Sequence, residues 1–319
     1  MKKKTEAELA TMHVYLDEDK KALIKQEYGI DVDSELFDPR LDFVSKRILA
    51  ADTEESKKAL VSFLNAALKL KNKKRVVKVL NPVTTVESSS HKKSIFDVRV
   101  EFLDGSEAII EIEFRKKDDF KRRSQFLISR SYASQDIAGK TYDALDKRYI
   151  VCVLNYTLLD DEEDDDFYRD YMYRDRKGRP LTDDLNIIFV ELTKLDDLLK
   201  KPVNKLTPIE CWALFFRHST DKDKRELLSQ IIEKEEGIKV ATQILQTISQ
   251  NKEERRAYEE QLIFELDQRS EVANARKQGI EQGAKAKEIE IAKGLKLDNV
   301  PFSVIVKNTT LTLREIEAL

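Results

Sequence analysis

Residues 93–117 read KSIFDVRVEFLDGSEAIIEIEFRKK. Two strand-like runs flank Asp104-Gly105, a hairpin signal, and acids stand where a strand usually carries apolar residues. The register of that hairpin decides what the acids can do. A two-residue loop, Asp104-Gly105, sets position 97 opposite 112 and puts the Asp97 and Glu111 side chains on opposite faces. A three-residue loop, Leu103-Asp104-Gly105, sets 97 opposite 111. Such loops end on a glycine in the left-handed region, the place Gly105 fills. The apolar pattern favours the second. Val98, Val100, Phe102, Ile110, Ile112 and Phe114 then form one face, while Asp97, Glu111 and Glu113 share the other.

Directly opposed carboxylates repel one another and destabilise a sheet pair. A divalent cation reverses that, because hard oxygen ligands suit Mg²⁺, and such an ion polarises a phosphodiester and activates a water for attack. Arg115, Lys116 and Lys117 follow at once. The run RKKDDFKRRS (115–124) supplies positive charge where a phosphate backbone would lie. A blander reading stays open beside this one. Glu101 and Glu107 are also opposed in the same register, with Arg99 between them, so the acids equally describe an exposed sheet face.

Outward from the hairpin, residues 6–28 place Leu9, Met12, Leu16, Leu23 and Ile24 at helical spacing. Further helices are expected from Leu41 and from about Glu54, the latter with Leu60, Phe63, Leu64, Ala67 and Leu68 on one stripe. RVVKVLNP (75–82) reads as a short strand stopped by Asn81-Pro82. Residues 119–138 read as a helix on which Gln125 and Tyr132 share a face. RYIVCVLNY (148–156) is a continuous apolar run of the kind a central strand carries. The acidic run DDEEDDD (160–166) reads as a solvated loop, or else as a metal or partner site. FYRDYMYRDRKGRPLTDD (167–184) is expected to turn about Lys177-Gly178 before a last strand, LNIIFVEL.

Downstream, TPIECWALFF (207–216) has Thr207 as N-cap, Pro208 in the first turn and Glu210 as capping-box partner. Residues 221–292 are charged, with scattered apolar positions and no sustained heptad, so long exposed helices or a coiled pair are expected. Gly279 and Gly283 read as a linker. Three short helices are expected in EIAKGLKL, PFSVIVKNT and LTLREIEAL. The expected organisation is an N-terminal helical extension (1–36), a mixed α/β domain (37–196), a charged helical region (197–278) and a short helical tail (279–319).

Composition narrows the function classes. The 319 residues are 41% hydrophobic and 37% charged, with a net charge of −3, so there is core enough but no global basic field. Nucleic-acid contact must therefore rest on local patches. Cys152 and Cys211 sit in apolar runs and offer no disulfide framework. His13, His91 and His218 have no ligand spacing to a cysteine, which argues against zinc. MKKKTEAELA lacks a hydrophobic segment and no apolar run approaches membrane-spanning length, so a cytoplasmic protein is expected, with no membrane partner.

The chain resembles the PD-(D/E)XK nuclease core as it occurs in the recombination-promoting nuclease, or transposase, family. The likeness runs through LFDPRLDFVSKRILA, LVSFLNAALKL, VVKVLNP, KKSIFDVRVEFLDGSEAIIEIEF, DFKRRSQFLISRSYASQD, RKGRPLTDDLNIIFVEL and CWALFF, and the tail EIAKGLKLDNVPFSVIVKNTTLTLREIEAL is similar to that family's helix-turn-helix-like ending. The resemblance implies an α/β fold, a restriction-endonuclease-like mixed β-sheet flanked by helices, followed by an α-helical C-terminal region. It implies a Mg²⁺-dependent DNA endonuclease, with Mn²⁺ as the alternative ion, connected with recombination or transposition. Asp97 and Glu111 would be metal ligands. Asp42 would be an additional acid of the site, although it equally suits the first turn of a helix. Glu113, the third catalytic position, falls where the family's motif has lysine or glutamine; a carboxylate there cannot stabilise developing negative charge as lysine does, although it could bind a second metal. Lys116, Arg123 or Gln125 would then stand in for it. Lys117, Lys121, Arg122, Arg123 and Gln125 form the expected DNA contact. The Glu113 departure also supports a second reading, a catalytically weakened descendant that binds DNA or a protein partner. A third is an interaction scaffold, or homo-oligomer, built on the charged helices.

Overall fold

The hairpin closes through the three-residue loop. In the computed structural model, which describes residues 16–70, 76–80, 98–136, 138, 139, 141–159 and 166–319, Val98 stands opposite Ile110 and Glu101 opposite Glu107. The Phe102 N–H donates to the Ser106 carbonyl at 2.8 Å. Gly105 has φ of +81°, and a Cβ there would lie 2.8 Å from an Asp146 carboxylate oxygen. Backbone conformation and space both require glycine. Asp97, one residue before the first described pair, lies outside the described residues, as do most of the acidic run 160–166 and the first half of the expected N-terminal helix.

Among the described residues three helices precede the sheet: α1 (Glu18–Tyr28), α2 (Asp42–Leu49) and α3 (Glu54–Ala67). Thr53 caps α3 by accepting from the Ser56 N–H. The strands β1 (Val76–Val79), β2 (Val98–Phe102) and β3 (Glu107–Glu113) form an antiparallel meander. Then α4 (Phe120–Ala133) crosses over to β4 (Arg148–Leu154), which pairs parallel to β3. β5 (Tyr168–Met172) and β6 (Leu185–Glu191) form the hairpin about Gly178, and β6 pairs parallel to β4. The sheet order is β1-β2-β3-β4-β6-β5. β4 is central and apolar on both faces, as a doubly covered strand should be.

Each face of the sheet has its own cover. α4 packs on one, where Phe120, Leu127 and Ile128 join Ile109, Ile150, Cys152 and Phe189 in a buried cluster. α2 approaches the other face at β3 and belongs to a helical layer with α3, α5 (Pro208–His218), α6 (Arg225–Lys234) and α7 (Glu236–Gln250). Trp212, Phe215 and Phe216 of α5 are fully buried there, with Phe63 packed edge-on against Trp212. The capping box at Thr207 and Glu210 forms as expected. Both cysteines are buried, and burial pushes the Cys211 thiol up to about 11.

The chain divides into two compact units, Met1–Glu259 and Glu260–Leu319. In the second, Ala292, Ile305, Leu311 and Ile316 form a small core from the end of α8 (Lys252–Leu297), α9 (Phe302–Asn308) and α10 (Leu313–Ala318). Two expectations are corrected here. EIAKGLKL is the last part of the 46-residue α8, so the tail adds two short helices instead of three. Gly279 and Gly283 are also inside α8 and form no linker. Each costs about 1 kcal/mol relative to alanine, but the surrounding Ala, Lys, Glu and Gln favour helix strongly enough to carry them. Among the described residues, no helix is long and apolar enough to cross a membrane.

Candidate active site

Strand alternation splits β3 cleanly. Ala108, Ile110 and Ile112 face the helical layer, while Ile109, Glu111 and Glu113 face α4. Glu111 is 0% exposed and Glu113 only 8%. That burial overturns the reading of these two acids as an exposed sheet face. The reason is topological: β3 pairs with a strand on each side, and α4 covers the remaining face.

A buried carboxylate is expensive without a cation, and each of these has one. Glu111 Oε2 accepts from Arg123 Nη2 at 3.2 Å. Glu113 Oε1 accepts from Lys117 Nζ at 2.6 Å. Both cations arrive from the same side, Arg123 from the first turn of α4 and Lys117 from the loop just before it. Two acids and two bases thus converge at the C-terminal end of β3.

The neighbouring groups hold this end of the sheet in place. The Asn155 N–H donates to the Glu113 carbonyl at 3.0 Å. Asn155 Oδ1 accepts from Arg40 Nη1 and Arg217 Nη1, each at 3.2 Å. Arg40 is itself clamped by buried Asp38 at 2.5 Å. Burial works to lower the Arg40 guanidinium, and the charge and hydrogen bonds of Asp38 more than offset it, leaving its pKa raised. Arg217 is clamped by no carboxylate among the described residues: burial and then the Arg40 charge push it down. Tyr156 packs edge-on against Phe120, and its hydroxyl is buried. Burial and then the negative charge of Glu113 raise its pKa, so the phenol stays protonated.

The expected site residues separate into distinct groups. Glu111, Glu113, Lys117 and Arg123 come together. Lys116 is exposed and points its charge into solvent, so the cation beside Glu113 is its neighbour Lys117. Lys121, Arg122 and Gln125 are exposed along α4. Asp42 opens α2 and carries Lys46, one turn on, at 2.9 Å. Asp97 lies outside the described residues, and among the described ones no three His, Cys, Asp or Glu gather to hold a metal. The donor chemistry fits a hard divalent ion as a partial set, two carboxylates on one strand face. Asn155, Arg217 and Tyr156 escaped the sequence reading. Their only signal was position, just beyond the end of a central strand or on a helix far along the chain.

No curated protein and no solved structure matched the chain. A family model for PD-(D/E)XK nuclease family transposases matches residues 39–275, a span that contains the whole sheet, α4 and both ion-paired acids. The chain therefore belongs to the PD-(D/E)XK nuclease family of transposases.

Proposed function

We propose that the protein is a divalent-metal-dependent DNA endonuclease, using Mg²⁺ with Mn²⁺ as a substitute, and that it acts in recombination or transposition. One observation carries the reading: Glu111 is fully buried at the end of β3 and held by a half-exposed arginine from another element. In this reading Glu111, Asp97 and the additional acid Asp42 hold the ion, which when bound supplies Lewis acidity and a more acidic water. Arg123 and Lys117 supply the positive charge that the third motif position lost when it became Glu113. The Arg123 side chain is 37% exposed, so it can leave Glu111 and turn to a phosphate. Lys116, Lys121, Arg122 and Gln125 lie on the exposed approach and serve the phosphate backbone.

A second reading has its own support. Each described acid is already matched by one cation, a charge balance that a DNA-binding module without cleavage would keep. Plasmid DNA incubated with Mg²⁺ or Mn²⁺ separates the two. Nicking by wild type, lost in Asp97→Ala and Glu111→Gln, is the expected result. Calorimetric titration with Mn²⁺ gives an independent readout, since those variants should lose the binding heat. Equal nicking by wild type and both variants would overturn the nuclease reading.

A further inference from the structure

Exposed aromatic rings are costly on a monomer surface, and here three gather beside α4. Phe126 is 63% exposed, Tyr171 44% and Tyr173 58%. They line a groove of about 680 Å³ between α4 and the β5–β6 edge, together with Arg122, Gln125 and Ser129. Arg122 on its wall is the chain neighbour of Arg123, the partner of Glu111. Its walls are held in place. Tyr171 packs edge-on against buried Phe189 at 5.8 Å. The Tyr132 hydroxyl donates to Asp184 at 3.1 Å, tying the far end of α4 to the start of β6.

The chain that carries Tyr171 and Tyr173 along the groove runs on at once into a basic tip. The tip of the β5–β6 connection, residues 174–179, carries Arg174, Arg176, Lys177 and Arg179 against Asp175, while Asp183 and Asp184 lie nearer β6, where Lys147 and Tyr132 engage them. Arg179 engages Asp175 at 2.7 Å, and Arg174 donates to the Gly178 carbonyl at 2.7 Å. Arg176 and Lys177 are exposed at the tip. A cation on the groove wall, flat rings along it and a basic tip in the chain just beyond Tyr173 match one ligand chemistry. A duplex offers phosphates but keeps its base faces stacked inside. A single strand offers both phosphates and base faces.

We infer that this groove binds a single-stranded segment of DNA, stacking its bases on Phe126, Tyr171 and Tyr173 and holding its phosphates with Arg122, Arg176 and Lys177. The inference rests on the nuclease reading for the identity of the polymer, and it narrows that reading to substrates with unpaired bases. Anchoring a displaced strand there would feed its junction with the duplex toward Glu111.

Fluorescence anisotropy of the full-length protein with a labelled oligothymidylate in EDTA tests binding without cleavage. Phe126→Ala, Tyr171→Ala and Tyr173→Ala should each weaken it about tenfold, while Tyr173→Phe should bind as wild type. Arg176→Gln combined with Lys177→Gln should reduce the slope of log affinity against log salt by about 0.7 for each phosphate left without its cation. Phe126, Tyr173, Arg176 and Lys177 are exposed, so thermal melts of their variants should match wild type, while Tyr171→Ala, which loses the Phe189 contact, is read beside Tyr171→Phe. Unchanged affinity in the ring variants would overturn the groove, as would equal competition by blunt duplex DNA or binding of a protein partner in its place. The two readings fail separately. Ring-dependent binding by a protein that never nicks DNA leaves the groove standing and removes the nuclease. Nicking with ring-independent binding does the reverse.

Discussion

The two ends of β3 carry the same chemistry for different ends. At its start, Glu107 meets Arg99 at 2.7 Å and Arg148 at 3.5 Å, cations from the neighbouring strands β2 and β4. At its finish, Glu111 meets Arg123 and Glu113 meets Lys117, cations from a helix and the loop before it. Glu107, Ile109, Glu111 and Glu113 all lie on one face of one strand. The partners at the start are fixed by the backbone of the sheet and staple three strands together. The partners at the finish reach in on long side chains from an element that also faces solvent. An acid in a strand therefore says little alone; what matters is whether its cation can leave.

The largest test of that contrast is catalytic. Glu111→Gln should lower metal-dependent nicking at least about a hundredfold, while Glu107→Gln leaves the nicking rate of the folded protein unchanged. Equal losses would erase the distinction. Next comes stability. Arg148→Met strips the more buried cation from Glu107 and should cost about 3 kcal/mol in denaturant unfolding, the low end for a broken buried pair because Arg99 remains. Burial holds the Arg148 guanidinium below its ordinary range despite Glu107, and the replacement also removes its hydrogen bonds to the Gly105 and Lys147 carbonyls. A finer effect should appear in pH profiles. Arg123→Met removes the positive charge beside Glu111, so the acid limb of nicking should move to higher pH; an unmoved limb would mean that Glu111 does not titrate in the reaction.

The smallest effect serves as a control on that profile. Burial lowers the pKa of His218 from its ordinary 6.5, outweighing the Asp221 carboxylate 3.3 Å away. The unfolded chain then binds more protons than the folded one just below that value, so folding stability rises with pH through the window and is lost as pH falls. His218→Gln should flatten melting temperature between mildly acid and neutral pH without moving the nicking limb.

Local chemistry made much of this legible in the sequence. The Asp104-Gly105 turn forecast the register, the apolar run at 148–154 forecast a central strand, and Thr207 with Glu210 forecast a cap. These signals reside within a few residues of the structure they specify. The ion pairs of the site reach further. Arg123 meets Glu111 only because α4 folds back over β3, and Arg217 reaches Asn155 from 62 residues away. The burial of Glu111 could not be read from its own strand, since the helix that covers it comes later in the chain. Gly279 and Gly283 misled for the opposite reason: a local breaker signal lost to the helix-forming residues around it.

The turn at Gly105 reaches beyond its own three residues. Strands have parity, and this loop sets it for β3, so a hydrogen atom in place of a methyl group decides which way Glu111 points several residues later. Inserting or deleting one residue there would act as a frameshift written in space. Glu111 would swap places with a neighbouring isoleucine and Glu113 would leave the α4 side with it, and no substitution at the acids themselves would restore them.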